Sequence, residues 1–291
     1  MQNNKATLNS LLDQAWKVRQ AFFPHQIEFA APNRTLAISV TGSCCELSCA
    51  HCNGVYLQKM IPLEQALSLK GGREKSYLVS GGCNALGKVP LLERWNELEE
   101  LALRGPLNLH TGLVNEEEAR KLAEIATVIS FDFVGDDETI STVYGTRATV
   151  KNYLNAYRAL QKYTRVVPHI CIGLKGGVID SEYKALEILK DEAVEAFSLI
   201  VFRPTAETAF SECSPPSLEE TARFIATARL MFPRTPLYLG CMRPGGRYRE
   251  QLDIMAIKAG VNKVVLPTPE ARCQAEELGL AITISEECCS L

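Results

Sequence analysis

Short β-rich runs alternating with longer amphipathic stretches along the 291 residues predict an α/β fold, a full (β/α)8 TIM-type barrel with an N-terminal helical extension. Three observations carry that expectation. Eight strand-like runs, at 35–40, 76–80, 107–110, 128–133, 166–172, 197–202, 236–239 and 261–266, fit eight βα units in about 230 residues. The stretches between them carry helix start and stop signals. The unusual residues, Cys, His, Asp and Arg, fall just after the runs, where a barrel of this kind gathers its active site. Alternation alone leaves a doubly wound sheet open, and its site would also lie at strand ends.

The elements follow in order. Residues 7–22 place Leu8, Leu11, Leu12, Ala15 and Trp16 on one face at helical spacing. Pro90 opens a helix whose end is marked by Gly105. Asn115 followed by three glutamates supplies a cap and acids suited to the positive end of a helix dipole. Ser217 with Glu220 three residues later resembles a capping box. A ninth short run at 281–285 leads into the Cys288-Cys289 tail. No low-complexity tract, charge block or Pro/Gly-rich linker divides the chain, so 1–291 reads as one domain. Within it, 1–34 is the N-terminal helical extension and 35–266 the barrel, and 267–291 holds a C-terminal helix, the short strand and the tail.

Composition narrows the function. With 46 % apolar and 22 % charged residues the chain is ordinary globular material, and at this length about three quarters of its extended surface can be buried. A net charge of −3 provides no basic field of the kind nucleic-acid binding needs. No run of about 18 apolar residues suggests a membrane span, and the start, Met1-Gln-Asn-Asn-Lys, lacks the apolar core of a secretory signal. The expectation is a cytoplasmic protein with neither nucleic acid nor membrane as partner. In a reducing compartment, 11 cysteines point to metal or redox chemistry more than to disulfides.

The densest chemical signal is Gly42-Ser-Cys-Cys-Glu-Leu-Ser-Cys-Ala-His-Cys-Asn-Gly, which places Cys45-x3-Cys49-x2-Cys52 directly after the first run. Three thiolates at that spacing on one loop can take three corners of an iron–sulfur cubane and leave the fourth iron open. The alternatives are a structural zinc site completed by His51 or Cys44, and a chance group of buried cysteines. Cys44 breaks the spacing and reads as a non-ligand.

These residues, with the ring of His51 immediately before Cys52, resemble the signature of the radical S-adenosylmethionine (SAM) superfamily. The resemblance implies an enzyme with a [4Fe–4S] cluster on Cys45, Cys49 and Cys52 that binds SAM at the open iron. One electron then cleaves SAM to a 5′-deoxyadenosyl radical, which abstracts hydrogen from an unactivated carbon. Ser80-Gly81-Gly82-Cys83 is similar to the family's Gly-Gly-Glu turn, with Cys83 where the acid normally stands. Two glycines after a strand also suit an ordinary tight turn. His169-Ile-Cys-Ile-Gly-Leu-Lys-Gly-Gly resembles the strand bordering adenosine, so Ile172 and Gly173 join His51, Ser80, Gly81, Gly82, His110 and Asp132 as candidate cofactor contacts. For His110 the equal alternative is a satisfied core histidine.

The wider pattern resembles the biotin synthase and lipoyl synthase group, through Arg203-Pro-Thr, Gly245-Gly-Arg and Ala259-Gly-Val-Asn, and most of all the two-subunit lipoyl synthases. That resemblance implies sulfur insertion into a protein-bound octanoyl chain. It also implies an octanoylated carrier protein or peptide as substrate, a second subunit of similar fold, and ferredoxin or flavodoxin as electron donor. Sulfur would come from a second [4Fe–4S] cluster, for which Cys241, Cys273, Cys288 and Cys289 are the candidates, with Cys213 beside them. Cys273 on a helix also suits plain packing, and Cys171 between two isoleucines reads as core. Arg203, Arg243 and Arg247 are candidate clamps for a substrate carboxylate, although a buried arginine bridging the fold is an equal reading of Arg243 or Arg247. The alternative functions are a biotin synthase-like or cofactor-maturation enzyme without sulfur insertion and, more remotely, a zinc or iron–sulfur scaffold without catalysis.

Overall fold

The structure, a computed structural model, describes residues 7–69 and 74–291; the polar start on which the absence of a secretory signal was argued lies outside them, apart from position 7 onward. Among the described residues eleven strands follow in chain order: β1 Gln26–Ala30, β2 Thr35–Ser39, β3 Ile61–Pro62, β4 Ser76–Ser80, β5 Leu107–His110, β6 Val128–Asp132, β7 Val166–Ile172, β8 Phe197–Val201, β9 Leu237–Leu239, β10 Lys263–Val265 and β11 Ala281–Ser285. All pairings are parallel, in the order β11-β1-β10-β9-β8-β7-β6-β5-β4-β2-β3.

The parallel α/β expectation is met, but the count and closure differ from a regular eight-stranded barrel. Residues 26–30, read as part of a helical extension, form β1 and lie between β10 and β11. The two-residue β3 extends the opposite edge, where Pro62 costs no ladder bond. Among the described residues no ladder joins the two edges of the sheet. They meet instead through the tail: Arg34 N donates to Glu286 O at 3.0 Å, and Cys288 N to Thr35 Oγ1 at 2.8 Å.

Register decides which side chains face the concave side. Asp132 is opposite His169, His169 opposite Ser198, and Ser198 opposite Tyr238, so these share one face of the pleat. By the same alternation Asn108, His110 and Ser130 join them. The other face, including Val79, Leu109, Ile129, Phe131, Ile170, Ile172, Leu199 and Val201, packs under the helices in one continuous apolar core. Phe131 and Phe133 meet Tyr157 of helix Val150–Gln161 edge-on or tilted, with ring centroids 6.1 and 6.0 Å apart. The inner face thus carries these polar groups, interspersed with apolar Leu78, Val128, Val167 and Ile200.

Local signals place the helices. Thr7 caps helix Leu8–Phe22, which buries Leu12 and Ala15 and packs on helix Leu218–Met231. Asn115 and Glu118 form a capping box for helix Glu116–Leu122, while the Ser217 side chain accepts from Glu220 N to start Leu218–Met231. Pro90 leads into a 3-10 turn, Leu91–Arg94, before helix Trp95–Ala102.

Arg243 is a strut rather than a clamp. Its Nε and Nη2 donate to Asp253 at 2.9 and 3.1 Å, and its remaining N–H groups go to the carbonyls of Gly240, Val265 and Leu266. All five donors are occupied and the side chain is fully buried, so none is left for a substrate carboxylate. Asp253→Ala would strand that buried guanidinium. It should lower folding stability by about 3–5 kcal/mol, read from urea unfolding; a loss well under 1 kcal/mol would show that the strut is not the tie between the β9, β10 and helix Gly246–Lys258 segments described here.

Candidate functional site

The cysteine loop leaves β2 at Ser39 and is knitted to the turn after β4. Thr41 Oγ1 accepts from Gly82 N at 2.7 Å and donates to Cys44 O at 2.8 Å. Glu46 N donates to Cys83 O at 2.9 Å, and Ala85 N to Glu46 Oε2 at 2.8 Å. The two segments touch so closely that a Cβ on Gly82 would lie 2.0 Å from Cys44 O and 2.5 Å from Cys45 Cα. Only glycine fits there. Farther along, Ala50 N donates to Val143 O and Ala50 O accepts from Phe210 N, at 2.7 and 3.0 Å. Asn53 and Gly54 take left-handed backbone just past Cys52, and Asn53 Nδ2 donates to Glu207 O at 2.9 Å.

Cys45, Cys49 and Cys52 face a single cavity of about 390 Å³, which also meets Ser80, Gly81, Gly82, His110, Asp132 and Arg203. Cys44 is exposed and does not line it. Burial, with Cys52 and Cys45 nearby, pushes the Cys49 thiol up to about 12. Burial likewise raises Cys52, against donation from the backbone N–H groups of Gly54 and Tyr56. Buried Cys49 and Cys52 are poor thiolates alone and good ones beside metal cations, and with Cys45 facing the same cavity the donor set fits an iron–sulfur cluster. Among the described residues no three His, Cys, Asp or Glu side chains converge on one point; a cubane, which takes each thiolate on a different iron, does not require it.

The other expected residues divide. His51 lies edge-on to Tyr144 with ring centroids 5.5 Å apart, and its buried Nδ1 has no hydrogen-bond partner. Burial lowers His51 and His110 to about 4, with Asp132 opposing in each case, so both are neutral imidazoles near pH 7. Asp132 opens into the cavity at the end of β6. Arg203 lines it too, stacked 5.8 Å from the Tyr56 ring centroid, with a buried Nε that has no partner. Arg247 is exposed and away from the cavity. Ile172 belongs to the outer core, and its neighbour Cys171 is the one turned inward, by the period of two. The glycines after β7 admit the chain's own backbone: a Cβ on Gly173 would meet Pro216 at 2.8 Å, and one on Gly177 would meet Ser214 O at 2.1 Å.

The four cysteines expected for a second cluster do not assemble. Cys273 is exposed on helix Pro269–Glu277, whereas Cys241, Cys288 and Cys289 line the cavity. The tail enters the concave face from below. Asn108 Nδ2 donates to Cys288 Sγ at 3.3 Å, Lys263 Nζ to Cys289 O at 3.1 Å and Arg165 to Ser290 O at 3.0 Å, while Ser130 and Ser290 hydroxyls pair at 3.0 Å. Cys289 Sγ lies 3.9 Å from both Cys288 Sγ and His169 Nε2. Donation from Cys288, then from His169, holds the Cys289 thiol well below its ordinary value. Burial pushes His169 down, but the bond to Cys289, the charges of Cys289 and Asp132 and the bond to the Val167 carbonyl together outweigh it and raise the imidazole. This floor, with Asn108, Ser130, His169 and Ser198, escaped sequence reasoning. Its signal was polar residues at alternate positions of strands that parallel sheets normally make wholly apolar.

No family model matches the chain. A biotin synthase of Ruthia magnifica subsp. Calyptogena magnifica is 25 % identical over 282 residues, spanning 88 % of this chain and 82 % of the relative. Among solved structures, methylornithine synthase (PylB) superposes with a TM-score of 0.69 at 17 % identity, covering 95 % of this chain and 89 % of that one. HydG, a maturase of the [FeFe]-hydrogenase, gives 0.65 at 14 % identity over 98 % of this chain and 66 % of the maturase. The structural likenesses establish a shared fold, and the sequence is similar to biotin synthases.

The depressed histidines make a pH prediction. An unfolded histidine titrates near 6.5, so the unfolded chain binds more protons between about 6.5 and about 4. Their contribution is full above the unfolded value and lost as pH falls toward 4. Urea unfolding of the parent should show stability declining over that window, and His110→Gln should flatten part of the decline; equal slopes would place His110 in water rather than in the cavity wall.

Proposed function

We propose that this chain is a radical SAM enzyme that abstracts hydrogen from an unactivated carbon in the cavity beneath Cys45, Cys49 and Cys52. One observation carries the reading: the three-thiol loop and the Ser80-Gly81-Gly82 turn are locked together over a single 390 Å³ cavity, where Cys45, Cys49 and Cys52 would hold the cluster. Similarity to biotin synthases and the fold shared with methylornithine synthase support it. Bound there, a [4Fe–4S] cluster supplies the electron that cleaves SAM to a hydrogen-abstracting radical.

The chain's residues do the rest. The backbone of Gly81 and Gly82 lines the cavity beside the thiols, and the absence of a Cβ on Gly82 lets the cysteine loop close against that turn. Neutral His51 offers an unpaired Nδ1 and Asp132 a carboxylate for hydroxyl groups. Arg203 brings a guanidinium with a free, buried Nε, which suits a carboxylate on SAM or substrate. Phe202, Ile200 and Leu174 keep the wall apolar and limit water.

Of the finer readings, a biotin synthase-like reaction is favoured over lipoyl synthesis, because the curated relatives bear that name. Sulfur insertion would place its donor near Cys288, Cys289 and Cys241, the three surplus cysteines that reach the cavity. Closure of the sheet into a complete barrel around the tail belongs to the same reading.

The test is anaerobic reconstitution, reduction and incubation with SAM. The parent should release 5′-deoxyadenosine, and the Cys45, Cys49 and Cys52→Ala triple variant none. About four irons in the parent and none in the variant indicate one cluster, and about eight falling to four indicate a second. Bound zinc, with no 5′-deoxyadenosine, contradicts the proposal.

A further inference from the structure

Two free thiols meet on the floor of the cavity. Cys288 and Cys289 are 8 % and 6 % exposed, yet both line the 390 Å³ space, and their Sγ atoms lie 3.9 Å apart. Cys288 N is tied to Thr35 at the start of β2, whereas the cysteine loop leaves the end of that strand at Ser39. The strand rises about 13 Å between the two, so the floor pair stands apart from Cys45, Cys49 and Cys52. Cys241, which is exposed, lines the same cavity and opens it to solvent.

The surroundings make the two sulfurs unequal. His169 Nδ1 donates to Val167 O at 3.1 Å, which turns Nε2 toward Cys289 Sγ at 3.9 Å. The ring is placed to take the thiol's proton. The Ser198 and Ser290 hydroxyls, each 3.7 Å from the same sulfur, are placed to donate to the thiolate. Cys288 Sγ accepts from a neutral amide, Asn108 Nδ2, at 3.3 Å. A thiolate backed by an imidazole, with a second thiol within reach, suits disulfide exchange, in which one sulfur attacks and the other resolves.

Adjacency in the chain sets how such a pair behaves. With no cis peptide among the described residues, the two Cα atoms are about 3.8 Å apart, against roughly 4.4–6.8 Å in ordinary disulfides. A bond between them forms under strain, and strain makes a disulfide easy to reduce. That is the property of a reversible site and not of a permanent staple.

We propose that Cys288 and Cys289 form a thiol–disulfide exchange site that takes a low-molecular-weight disulfide from the cavity. The Cys289 thiolate attacks one sulfur of the ligand, the ligand's S–S bond breaks, and one half leaves with the proton held by His169. Cys288 then attacks Cys289 Sγ, closes the Cys288–Cys289 bond and expels the second half, which takes the proton that Cys288 gives up. Two protein thiols are oxidised by two electrons in all, and one ligand disulfide becomes two thiols. An excess of small thiol runs the exchange backward. The site lies in the cavity of the cluster loop but does not rest on the chemistry proposed there.

The experiment exposes the anaerobically reconstituted full chain, freed of thiol reductant, to 2-hydroxyethyl disulfide, and then alkylates the remaining thiols with N-ethylmaleimide. Glutamyl endopeptidase releases Cys288-Cys289-Ser290-Leu291 for mass spectrometry. The parent fragment should carry no alkyl group and weigh two hydrogens less than the free dithiol, and dithiothreitol should restore it. Cys288→Ser should instead hold one hydroxyethylthio group on Cys289. His169→Gln should slow the loss of free Cys289 by about tenfold or more, while exposed Cys273 reacts at the parent's rate. A parent fragment that stays doubly alkylated while Cys273 is converted overturns the site. A hydroxyethylthio group that persists in the parent overturns closure by Cys288, and an unchanged rate in His169→Gln overturns the part given to the imidazole. The parent fragment decides by itself where a variant loses its near-UV circular dichroism. Iron content and 5′-deoxyadenosine release in the untreated sample report separately on the radical reading.

Discussion

Everything at this site depends on one close approach, Gly82 against the backbone of Cys44 and Cys45. Three cysteines seven residues apart end to end are a flexible loop until something holds them. Here the Thr41 hydroxyl bridges both segments, Glu46 N donates to Cys83 O, and the missing Cβ of Gly82 lets the strands' ends touch. Because these contacts use no cysteine side chain, the thiols stay free to face the cavity. Burial then makes Cys49 and Cys52 reluctant thiolates until metal arrives, so holding the loop and binding the cluster are separate tasks.

The same division runs through the fold. Strand positions facing outward are spent on burying helices, which leaves the concave face to polar groups that water or ligand must satisfy. The tail satisfies the lower half, Cys288, Cys289 and Ser290 reaching β5, β6, β10 and the start of β7 with hydrogen bonds. The cavity wall keeps His51 Nδ1 and Arg203 Nε buried and unpaired. Unsatisfied buried polar atoms are rare in folded proteins, and these two lie in the wall that a ligand would meet.

Much of this was legible in the sequence. Alternating runs located nine of the strands, and Cys45-x3-Cys49-x2-Cys52 with Gly81-Gly82 located the site, because spacing and glycine placement are local constraints. What escaped was nonlocal. Residues 26–30 do alternate, as Gln-Ile-Glu-Phe-Ala, but only over five positions directly behind a helical stretch, and β10 and β11 flank them as β1. Arg243 was open between a clamp and a buried bridge, since nothing in its neighbourhood announces that Asp253 and three carbonyls use every donor. Cys273 and Cys289 look alike as letters; one lies on an outer helix and the other is drawn inside by a tail whose course no local pattern encodes.

The most direct test of the account is the Gly82→Ala protein, examined by circular dichroism, iron content and electron paramagnetic resonance after anaerobic reconstitution, with and without SAM. A single methyl displaces the cysteine loop and touches no thiol. The account predicts a folded protein that has lost most of its iron and whose remaining signal does not respond to SAM. A variant with the parent's iron content and the parent's SAM-induced spectral change would contradict it, because the cluster would then need no support from the Gly82 turn.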